Sequence, residues 1–277
     1  MAEAEETLEN GISSGISREL SLEIDTNYAV EIAEDIYWTG FYDERESLHC
    51  NPYMIKNGDS TILIDPGSIP DFPVVARKIF SLVAPDSIET IILQHQDPDL
   101  CANVPIFEDL SGDSPVQIVA ETRTVYLIKH YGVKGKIIRI GDGLTDFETP
   151  SGRKLQFVST PFAHSPGAMI TYDVKSKVLF TSDILGGLGK EWSLYHDTKA
   201  LDHMKAFMQA YIPSNLALRY ALLKISDFDA EVIAPQHGQI IRKEQLPAII
   251  DELWNLPCGL DLLKDDSIQK ARRGELR

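Results

Sequence analysis

The sequence predicts an α/β fold in which two β-sheets pack against each other and helices cover their outer faces. Short β-rich runs and helical patterns alternate in both halves of the chain. No Gly/Ser linker, charge block or repeat divides residues 30–260, and 43% hydrophobic content is sufficient for a substantial core. We therefore expect one domain over residues 29–260, a disordered acidic extension at residues 1–28 and a polar tail at residues 261–277.

The first half of the chain alternates between strand-like and helical runs. The Asn-Gly-Asp turn at residues 57–59 joins two β-rich runs and is typical of a hairpin. Residues 71–82 carry apolar side chains at the spacing of one helix face. We predict strands at residues 36–41, 52–56, 60–64, 116–120 and 136–140, and helices at residues 71–82, 102–109 and 122–131.

The second half has a run of strands followed by helices. Pro213 separates two helical patterns, because proline cannot continue the interior of a helix. Elements in this order can form two packed sheets with helices outside. We predict strands at residues 154–159, 168–172, 177–181 and 231–234, and helices at residues 201–212, 215–225 and 243–254.

The composition excludes several classes of function. The formal net charge of −16 opposes nonspecific binding to nucleic acid or to an anionic membrane surface. No apolar run approaches membrane-spanning length, and the acidic N-terminus lacks the pattern of a secretory signal. Cys50, Cys101 and Cys258 are far apart and odd in number, which favours a reducing compartment over a disulfide framework. We expect a cytoplasmic protein that binds neither nucleic acid nor membrane.

A polar cluster follows the apolar run at residues 91–93. His95, Asp97 and Asp99 occupy alternate positions where a buried parallel strand would end. Loops at the carboxyl ends of such strands often carry functional residues in α/β proteins. One imidazole and two carboxylates cannot all be buried unpaired, so they either face water or hold a cation. The segment alone is compatible with a solvated acidic turn as well as with a metal site.

Three isolated polar residues elsewhere in the chain favour the metal site. His164, Asp183 and His237 each follow a strand-like run and lie beside Gly, Pro or Ser. Asp65 also follows such a run, where it can support a site or simply cap a turn. The other four histidines lie outside this pattern, which favours surface or supporting positions for them.

The spacing of these residues resembles the metallo-β-lactamase superfamily, and within it the diiron branch of flavodiiron proteins and oxygen-binding diiron proteins. The resemblance covers nearly all of residues 30–260 and rests on the pattern His95-x-Asp97-x-Asp99 followed by the three isolated residues. It implies an αββα sandwich of the metallo-β-lactamase type. It also implies that His95, Asp97 and His164 bind one iron, that Asp99 and His237 bind a second, and that Asp183 bridges them.

Asp97 indicates which metal to expect. Hydrolytic members of the superfamily usually have a histidine at this position, whereas diiron members have a carboxylate, most often Glu. A carboxylate-rich site favours iron or manganese over zinc, because hard oxygen ligands stabilise a ferric ion. We therefore expect two iron ions as the cofactor, with zinc or manganese as the alternative.

Leu100 departs from the resemblance, because diiron relatives usually have another histidine there. Leucine cannot bind a metal, so we expect the second iron to have at most three protein ligands and an open or water-filled position. The adjacent Cys101 is expected to point elsewhere, since neighbouring residues usually project in different directions.

The resemblance also bears on partners. Flavodiiron reductases continue into a flavodoxin domain, whereas this sequence stops at Arg277, so we expect no bound flavin in this chain and a separate electron-donor protein. Family members often pair head to tail, which implies a homodimer. Tyr195 and His196 follow the Gly-rich run at residues 186–189 and are candidates for supporting residues on a loop over the metals.

Two functions from different classes are compatible with these observations. The first is a non-haem diiron protein that binds O₂ and can reduce O₂ or NO with electrons from a partner, acting as an oxygen sensor or scavenger. The alternative is a dinuclear metallohydrolase that acts on an ester, thioester or phosphodiester. A metal-free interaction module is disfavoured by the number of candidate ligands.

Overall fold

A computed structural model of the chain describes residues 24–43, 48–190, 192–197 and 200–263, and also residues 266, 270–271 and 273–275. Most of the predicted extension at residues 1–28 and about half of the predicted tail at residues 261–277 lie outside the described residues. Fifteen strands and seven α-helices are found in the described part of the chain.

The strands are short and are numbered in chain order. They are β1 (Val30–Ala33), β2 (Ile36–Trp38), β3 (Phe41–Asp43), β4 (Leu48–Cys50), β5 (Tyr53–Asn57), β6 (Ser60–Ile64), β7 (Ile88–Leu93), β8 (Gln117–Glu121), β9 (Lys136–Ile140), β10 (Leu144–Glu148), β11 (Lys154–Ser159), β12 (Met169–Asp173), β13 (Val178–Phe180), β14 (Val232–Ala234) and β15 (Ile241–Arg242).

The helices separate the parallel strands or follow the strand runs. They are α1 (Phe72–Phe80), α2 (Pro98–Cys101), α3 (Val104–Leu110), α4 (Thr122–Ile128), α5 (Ala200–Tyr211), α6 (Asn215–Ser226) and α7 (Leu246–Leu253). Short 3-10 turns occur at Pro85–Ser87, Lys129–Tyr131, Lys243–Gln245 and Gly259–Leu262.

The strands form two large sheets and a separate hairpin. The larger sheet has the order β1-β2-β5-β6-β7-β8-β9, and its strands β6 to β9 run parallel. The smaller sheet has the order β10-β11-β12-β13-β14-β15, in which β13 and β14 are the parallel pair. Strands β3 and β4 pair only with each other among the described strands. Helices lie between consecutive parallel strands of the larger sheet, as is usual for buried parallel strands.

Three hydrophobic clusters show how the layers pack. The central cluster joins the two sheets and includes Trp38, Tyr53, Phe157 and Phe180. A second cluster packs α1, α3 and α4 against the outer face of the larger sheet. A third packs α5, α6 and α7 against the outer face of the smaller sheet. The layers follow the order helices, sheet, sheet, helices. This is the predicted αββα sandwich, so the predicted fold class is confirmed.

One charged pair is buried in the smaller sheet. Arg153 precedes β11, and its guanidinium binds both carboxylate oxygens of Asp173 at 2.6 and 2.7 Å. Both side chains are almost completely buried. A bidentate arrangement supplies the hydrogen bonds that a buried ion pair needs to offset its desolvation.

The sequence did not predict six of these elements, which are strands β1, β3, β4, β10 and β15 and helix α2. Strands β3, β4 and β15 are two or three residues long, too short for alternation to show. The four-residue helix α2 contains Asp99 and Leu100, and the sequence analysis placed these residues in a loop.

None of the described helices has both the length and the apolar character needed to cross a membrane.

Candidate metal centre

The six residues predicted as metal ligands all follow strands at one edge of the two sheets; five lie in loops and Asp99 lies in the short helix α2. His95, Asp97 and Asp99 follow β7, and His164 follows β11. Asp183 and His237 follow the parallel strands β13 and β14. Both halves of the chain therefore contribute to the cluster.

Four of these residues form the first group. His164 Nε2 lies 2.7 Å from Asp183 Oδ2 and 3.3 Å from Asp97 Oδ2. His95 Nε2 lies 3.5 Å from the same oxygen of Asp97 and from the same oxygen of Asp183. Potential ligand atoms of His95, His164 and Asp183 all lie within 4.8 Å of one another. A single cation could therefore contact all of them.

The second group contains His237, Asp99 and the other oxygen of Asp183. His237 Nε2 lies 3.2 Å from Asp99 Oδ2 and 3.5 Å from Asp183 Oδ1. Asp183 is thus shared, with Oδ2 in the first group and Oδ1 in the second. The structure brings together all six predicted residues in the two sets that the resemblance implies; their role as ligands stays a prediction.

The charges of the two groups are strongly coupled. Burial alone would lower the pKa of His164, but hydrogen bonds to Asp183 and Asp97 raise that pKa to about 10. Burial likewise opposes the shift at His237, where Asp183 and Asp99 raise the pKa. For Asp183, burial acts upward, yet His95 and His164 hold the pKa of the carboxyl well below its usual range. The carboxylates therefore stabilise positive charge at the histidines, and cations bound at this place would supply such charge.

His95 is fixed by residues at the ends of three strands. Its Nδ1 lies 2.9 Å from the hydroxyl of Ser182, so Nε2 is the nitrogen that faces the carboxylates. The preceding Gln94 donates its backbone N–H to Asp65 Oδ1 at 2.8 Å. Asp65 is fully buried, and burial raises the pKa of its carboxyl to about 8. Asp65 thus supports the strand end that carries His95, which was one of its two predicted roles.

His237 is held by the turn around it and by β4. Its Nδ1 lies 2.7 Å from the carbonyl oxygen of His49, so Nε2 faces Asp99 and Asp183. The side-chain amide of Asn51 donates to the carbonyls of Pro235 and Gly238, on either side of the histidine. Sequence reasoning favoured a surface or supporting position for His49 but did not identify its carbonyl as the contact, and it missed Asn51, because a backbone acceptor and a turn-binding amide leave no ligand pattern in a sequence.

An aromatic pair on α5 covers both groups. Phe207 and Tyr211 stack with ring centroids 4.6 Å apart. The Tyr211 ring approaches His164 at 6.0 Å, and the Phe207 ring approaches His237 at 5.5 Å. The helical spacing of these aromatics predicts packing, but only the docking of α5 shows that the pair packs on two candidate ligands.

Leu100 and Cys101 do not contribute donors to the cluster. Leu100 is fully buried and belongs to the hydrophobic cluster between the larger sheet and its helices. The Cys101 thiol donates to the carbonyl of His95 at 3.0 Å, and burial raises the pKa of that thiol. The Cys101 side chain is therefore directed at the backbone of His95 and away from the candidate metal ligands, as expected from the sequence.

Tyr195 and His196 lie on the segment beside β15. Tyr195 forms a bridge with Ile240, and Arg242 packs over its ring at 4.8 Å. His196 lines a small cavity together with His49. Within the described residues, no hydrogen bond or ion pair joins either residue to the six candidate ligands. Their supporting role stays a prediction.

The donor set fits a pair of metal ions. Asp183 Oδ1 is buried and has no hydrogen-bond partner within the described residues. A cation bound there would satisfy this oxygen. Asp97 and Asp99 keep about a third of their side-chain surface exposed, so the cluster opens to solvent on their side. Three imidazoles and three carboxylates are donors that iron and manganese accept.

The layers and the position of the cluster define a metallo-β-lactamase-like αββα protein with a candidate dinuclear metal site. Residues 48–238 match the sequence model of the family described as ODP family beta lactamase. This match covers more than half of the chain, and the chain belongs to that family.

Curated relatives include longer proteins. The flavo-diiron protein FprA2 of Clostridium acetobutylicum is 27% identical over 209 residues, which cover 72% of this chain and 50% of the relative. The type A flavoprotein fprA of Rhodobacter capsulatus is 25% identical over 235 residues, which cover 77% of this chain and 52% of the relative. The chain spans about half the length of these relatives.

Two solved structures match over nearly their whole length. One is described as a peroxy diiron species of the chemotaxis sensor ODP; it has a TM-score of 0.72 and 25% identity, and the match covers 88% of this chain and 99% of that chain. The other is the apo state of the chemotaxis sensor ODP from T. denticola. It has a TM-score of 0.69 and 24% identity, and the match covers 84% of this chain and 96% of that chain. The second likeness supports the fold alone.

Proposed function

We propose that this chain is a non-haem diiron protein that binds O₂. The observation that carries the proposal is the shared carboxylate of Asp183, whose two oxygens face two separate sets of histidine and aspartate donors. Membership of the ODP family and the likeness to a structure described as a diiron species support the same function.

The proposal assigns a role to each of the six donors. His95, Asp97 and His164 would hold one iron through the atoms that already converge on Asp183 Oδ2. Asp99 and His237 would hold the second, on the side of Asp183 Oδ1. When bound, two iron ions sharing a carboxylate supply a pair of redox-active centres that can act on one small molecule.

The chain's own residues set access and orientation. Ser182 and the His49 carbonyl fix the histidine rings, so that Nε2 of each faces the carboxylates. Phe207 is buried against His237 and excludes water from that side. The partly exposed side of Asp97 and Asp99 leaves a route for a small ligand.

The finer parts of the proposal concern turnover and partners. We propose that any reduction of O₂ or NO uses electrons from a separate donor protein, that the chain acts as a homodimer, and that it acts in the cytoplasm. The sensor or scavenger role is likewise part of the proposal.

Metal content and oxygen response test the function directly. Purified protein is loaded anaerobically with ferrous iron, desalted and analysed, and its absorption spectrum is recorded before and after O₂ is added. Asp183→Asn removes a shared ligand charge. Asp86→Asn is the matched control, because this exposed aspartate lies in the turn before β7, at the opposite end of the strand that carries His95.

We expect about two irons per chain in the wild type and in the control, and an absorption change on adding O₂ to both. Asp183→Asn should lose most of the iron and the spectral response. Two zinc ions with esterase activity and no response to O₂ would reject the proposal in favour of a metallohydrolase. Failure to retain any metal would reject both.

A further inference from the structure

Three aromatic side chains from separate segments form a stack beside the second group of donors. The stack consists of Tyr42 in β3, His49 in β4 and Trp192. The ring of His49 lies 4.7 Å from that of Tyr42 and 5.2 Å from that of Trp192, and all three rings are within 23° of parallel. His49 is 2% exposed, whereas the other two rings are partly exposed. The aromatic stack therefore connects the interior with the surface.

Two backbone contacts join the aromatic stack to His237. The carbonyl oxygen of His49 lies 2.7 Å from His237 Nδ1. The indole N–H of Trp192 donates to the carbonyl of Gly238 at 3.1 Å, and Gly238 directly follows His237 in the chain. An electron can therefore cross between Trp192 and His237 through one hydrogen bond and a few covalent bonds of the backbone. His237 Nε2 in turn faces Asp183 Oδ1 at 3.5 Å, on the side of the second group of donors.

The outer end of the stack suits a side chain that gives up an electron and a proton together. The Tyr42 hydroxyl donates to the carbonyl of Lys190 at 2.9 Å, in an exposed position. A phenol loses an electron readily only when its proton leaves as well, and at this position the proton can pass to solvent. An imidazole is harder to oxidise than a phenol or an indole. His49 therefore acts as a bridge, and Trp192 and Tyr42 are the residues that can change oxidation state.

A fourth aromatic ring shows which direction is favoured. The ring of Trp38 lies 5.6 Å from that of Trp192, but it is fully buried. The ammonium group of Lys78 lies 4.1 Å from the centroid of the Trp38 ring. A cation over an indole is attracted to its electrons, so removing an electron from that indole becomes less favourable. The charge of Lys78 therefore directs oxidation away from Trp38 and towards Trp192 and the surface.

We propose that Trp192 and Tyr42 form a relay that carries oxidising equivalents from the metal centre to the surface. The oxidant is hydrogen peroxide acting at the metal centre. One electron passes from Trp192 to the oxidised centre, an electron from Tyr42 restores Trp192, and the phenol proton of Tyr42 passes to solvent. A small reductant such as ascorbate then returns one electron and one proton to Tyr42. The net result is the transfer of one electron from that reductant to the centre. The inference rests on the proposed function, since it requires a redox-active metal pair.

The relay would protect the aromatic side chains that pack on the donors. The Phe207 ring lies 5.5 Å from that of His237, and the Tyr211 ring lies 6.0 Å from that of His164. Tyr211 is the competing site of oxidation, because it is a tyrosine packed on the first group of donors. The aromatic stack instead contacts the second group, through His237.

Freeze-quench electron paramagnetic resonance tests the relay without measuring turnover. The full chain is loaded anaerobically with ferrous iron, analysed for metal, mixed with hydrogen peroxide and frozen, and the spectrum shows whether a tyrosyl radical has formed. Tyr42→Phe keeps a stacked ring but has no phenol, and Trp192→Phe removes the indole. Tyr211→Phe removes the competing tyrosine. Tyr126→Phe is the matched control, because Tyr126 is an exposed tyrosine on α4, outside the stack. Circular dichroism checks folding, and the samples are compared at equal iron content.

We expect a tyrosyl radical in the wild type, in Tyr126→Phe and in Tyr211→Phe. It should be absent from Tyr42→Phe, and most of it should be lost in Trp192→Phe. Oxidation should stop at Trp192 when Tyr42 is replaced, so mass spectrometry of the digested Tyr42→Phe protein should show oxygen added to Trp192. Ascorbate added before freezing should remove the radical from the wild type and leave its iron content unchanged.

The failures of the two proposals are distinguishable. Wild-type protein that holds iron and responds to O₂ but forms no tyrosyl radical with peroxide overturns the relay and leaves the proposed function standing. A radical that survives in folded Tyr42→Phe, or is undiminished in folded Trp192→Phe, overturns the relay as well. A radical that disappears only in Tyr211→Phe assigns the oxidation to the first group. Wild-type protein that retains no iron overturns the proposed function and, with it, this inference.

Discussion

Replacing Leu100 with histidine tests whether the second metal lacks a ligand that diiron relatives usually have. Leu100 lies on the four-residue helix α2, one residue after the candidate ligand Asp99. Its side chain is fully buried and belongs to the apolar cluster beneath α1, α3 and α4. The substitution therefore has two opposite effects, a loss of packing and a gain of a possible donor.

The packing loss can be estimated from the burial of the leucine. Removing a fully buried leucine side chain destabilises a protein by about 2–5 kcal/mol. An imidazole left without a partner in that place adds about 1–3 kcal/mol. A metal that binds only the folded chain stabilises it by about 4 kcal/mol when its free concentration is a thousand times the dissociation constant. We therefore expect Leu100→His to be strongly destabilised without metal and largely recovered with it.

The assay measures unfolding and metal release on the same samples. Denaturant unfolding is followed for metal-loaded and metal-free protein, and a chelator is used to time the release of each metal. Leu100→Ala is the control, since it loses similar packing and adds no donor. We expect slower release of the second metal from Leu100→His than from the wild type. In Leu100→Ala, release should not be slowed.

The reasoning is refuted if Leu100→His releases its second metal as fast as Leu100→Ala, or if metal restores none of its stability. Either result would mean that α2 directs residue 100 into the core and that no ligand position is open to it.

Three other perturbations have expected outcomes that follow from single features of the structure. Asp173→Asn breaks the buried bidentate pair with Arg153 and should lower the free energy of unfolding, measured in urea, by about 3–5 kcal/mol. A loss below about 1 kcal/mol would contradict this, because it is the size expected for an exposed ion pair. Burial lowers the pKa of His49 to about 3, so its neutral form stabilises the fold above about pH 6.5 and this contribution is lost as the pH falls towards 3. His49→Phe keeps the ring stacking and cannot protonate, so relative to the wild type it should gain about 2 kcal/mol between pH 6.5 and pH 5, measured by unfolding at both pH values; a pH-independent difference would contradict this. Gly238→Ala should reduce metal retention and thermal stability, because Gly238 has φ +79° and an added Cβ would lie 2.6 Å from the backbone nitrogen of Gly187. Gly58→Ala is the control: Gly58 has φ +63° with open space around it, so the substitution should affect stability without affecting metal content.

Much of the candidate site could be predicted because its residues follow the ends of strands. His95, Asp183 and His237 each come directly after an apolar run that forms a parallel strand. Parallel strands present their carboxyl ends at one edge of a sheet, so residues far apart in sequence meet there. The resemblance then separated the donors into two sets with Asp183 between them, and the distances show the same separation.

The parts that could not be predicted depend on tertiary contacts. His49 lies in a three-residue strand that lacks a clear alternation, and its carbonyl contacts His237 across 188 residues of sequence. The helical pattern around Tyr211 shows a buried face but not which ligand that face covers. Hydrophobic periodicity reports how a segment is buried and does not report its partner.

The shared carboxylate also links the two sheets energetically. Asp183 follows a strand of the smaller sheet, whereas His95 and Asp97 follow a strand of the larger sheet. The carboxylates of Asp183 and Asp97 raise the pKa of His164 to about 10, so they stabilise positive charge at this junction. Cations bound there would supply positive charge without protonating the imidazole, because metal ions bind its neutral form. Metal binding would therefore strengthen this contact between the two sheets, and we expect loss of the metals to loosen that contact before it disturbs the interior of either sheet.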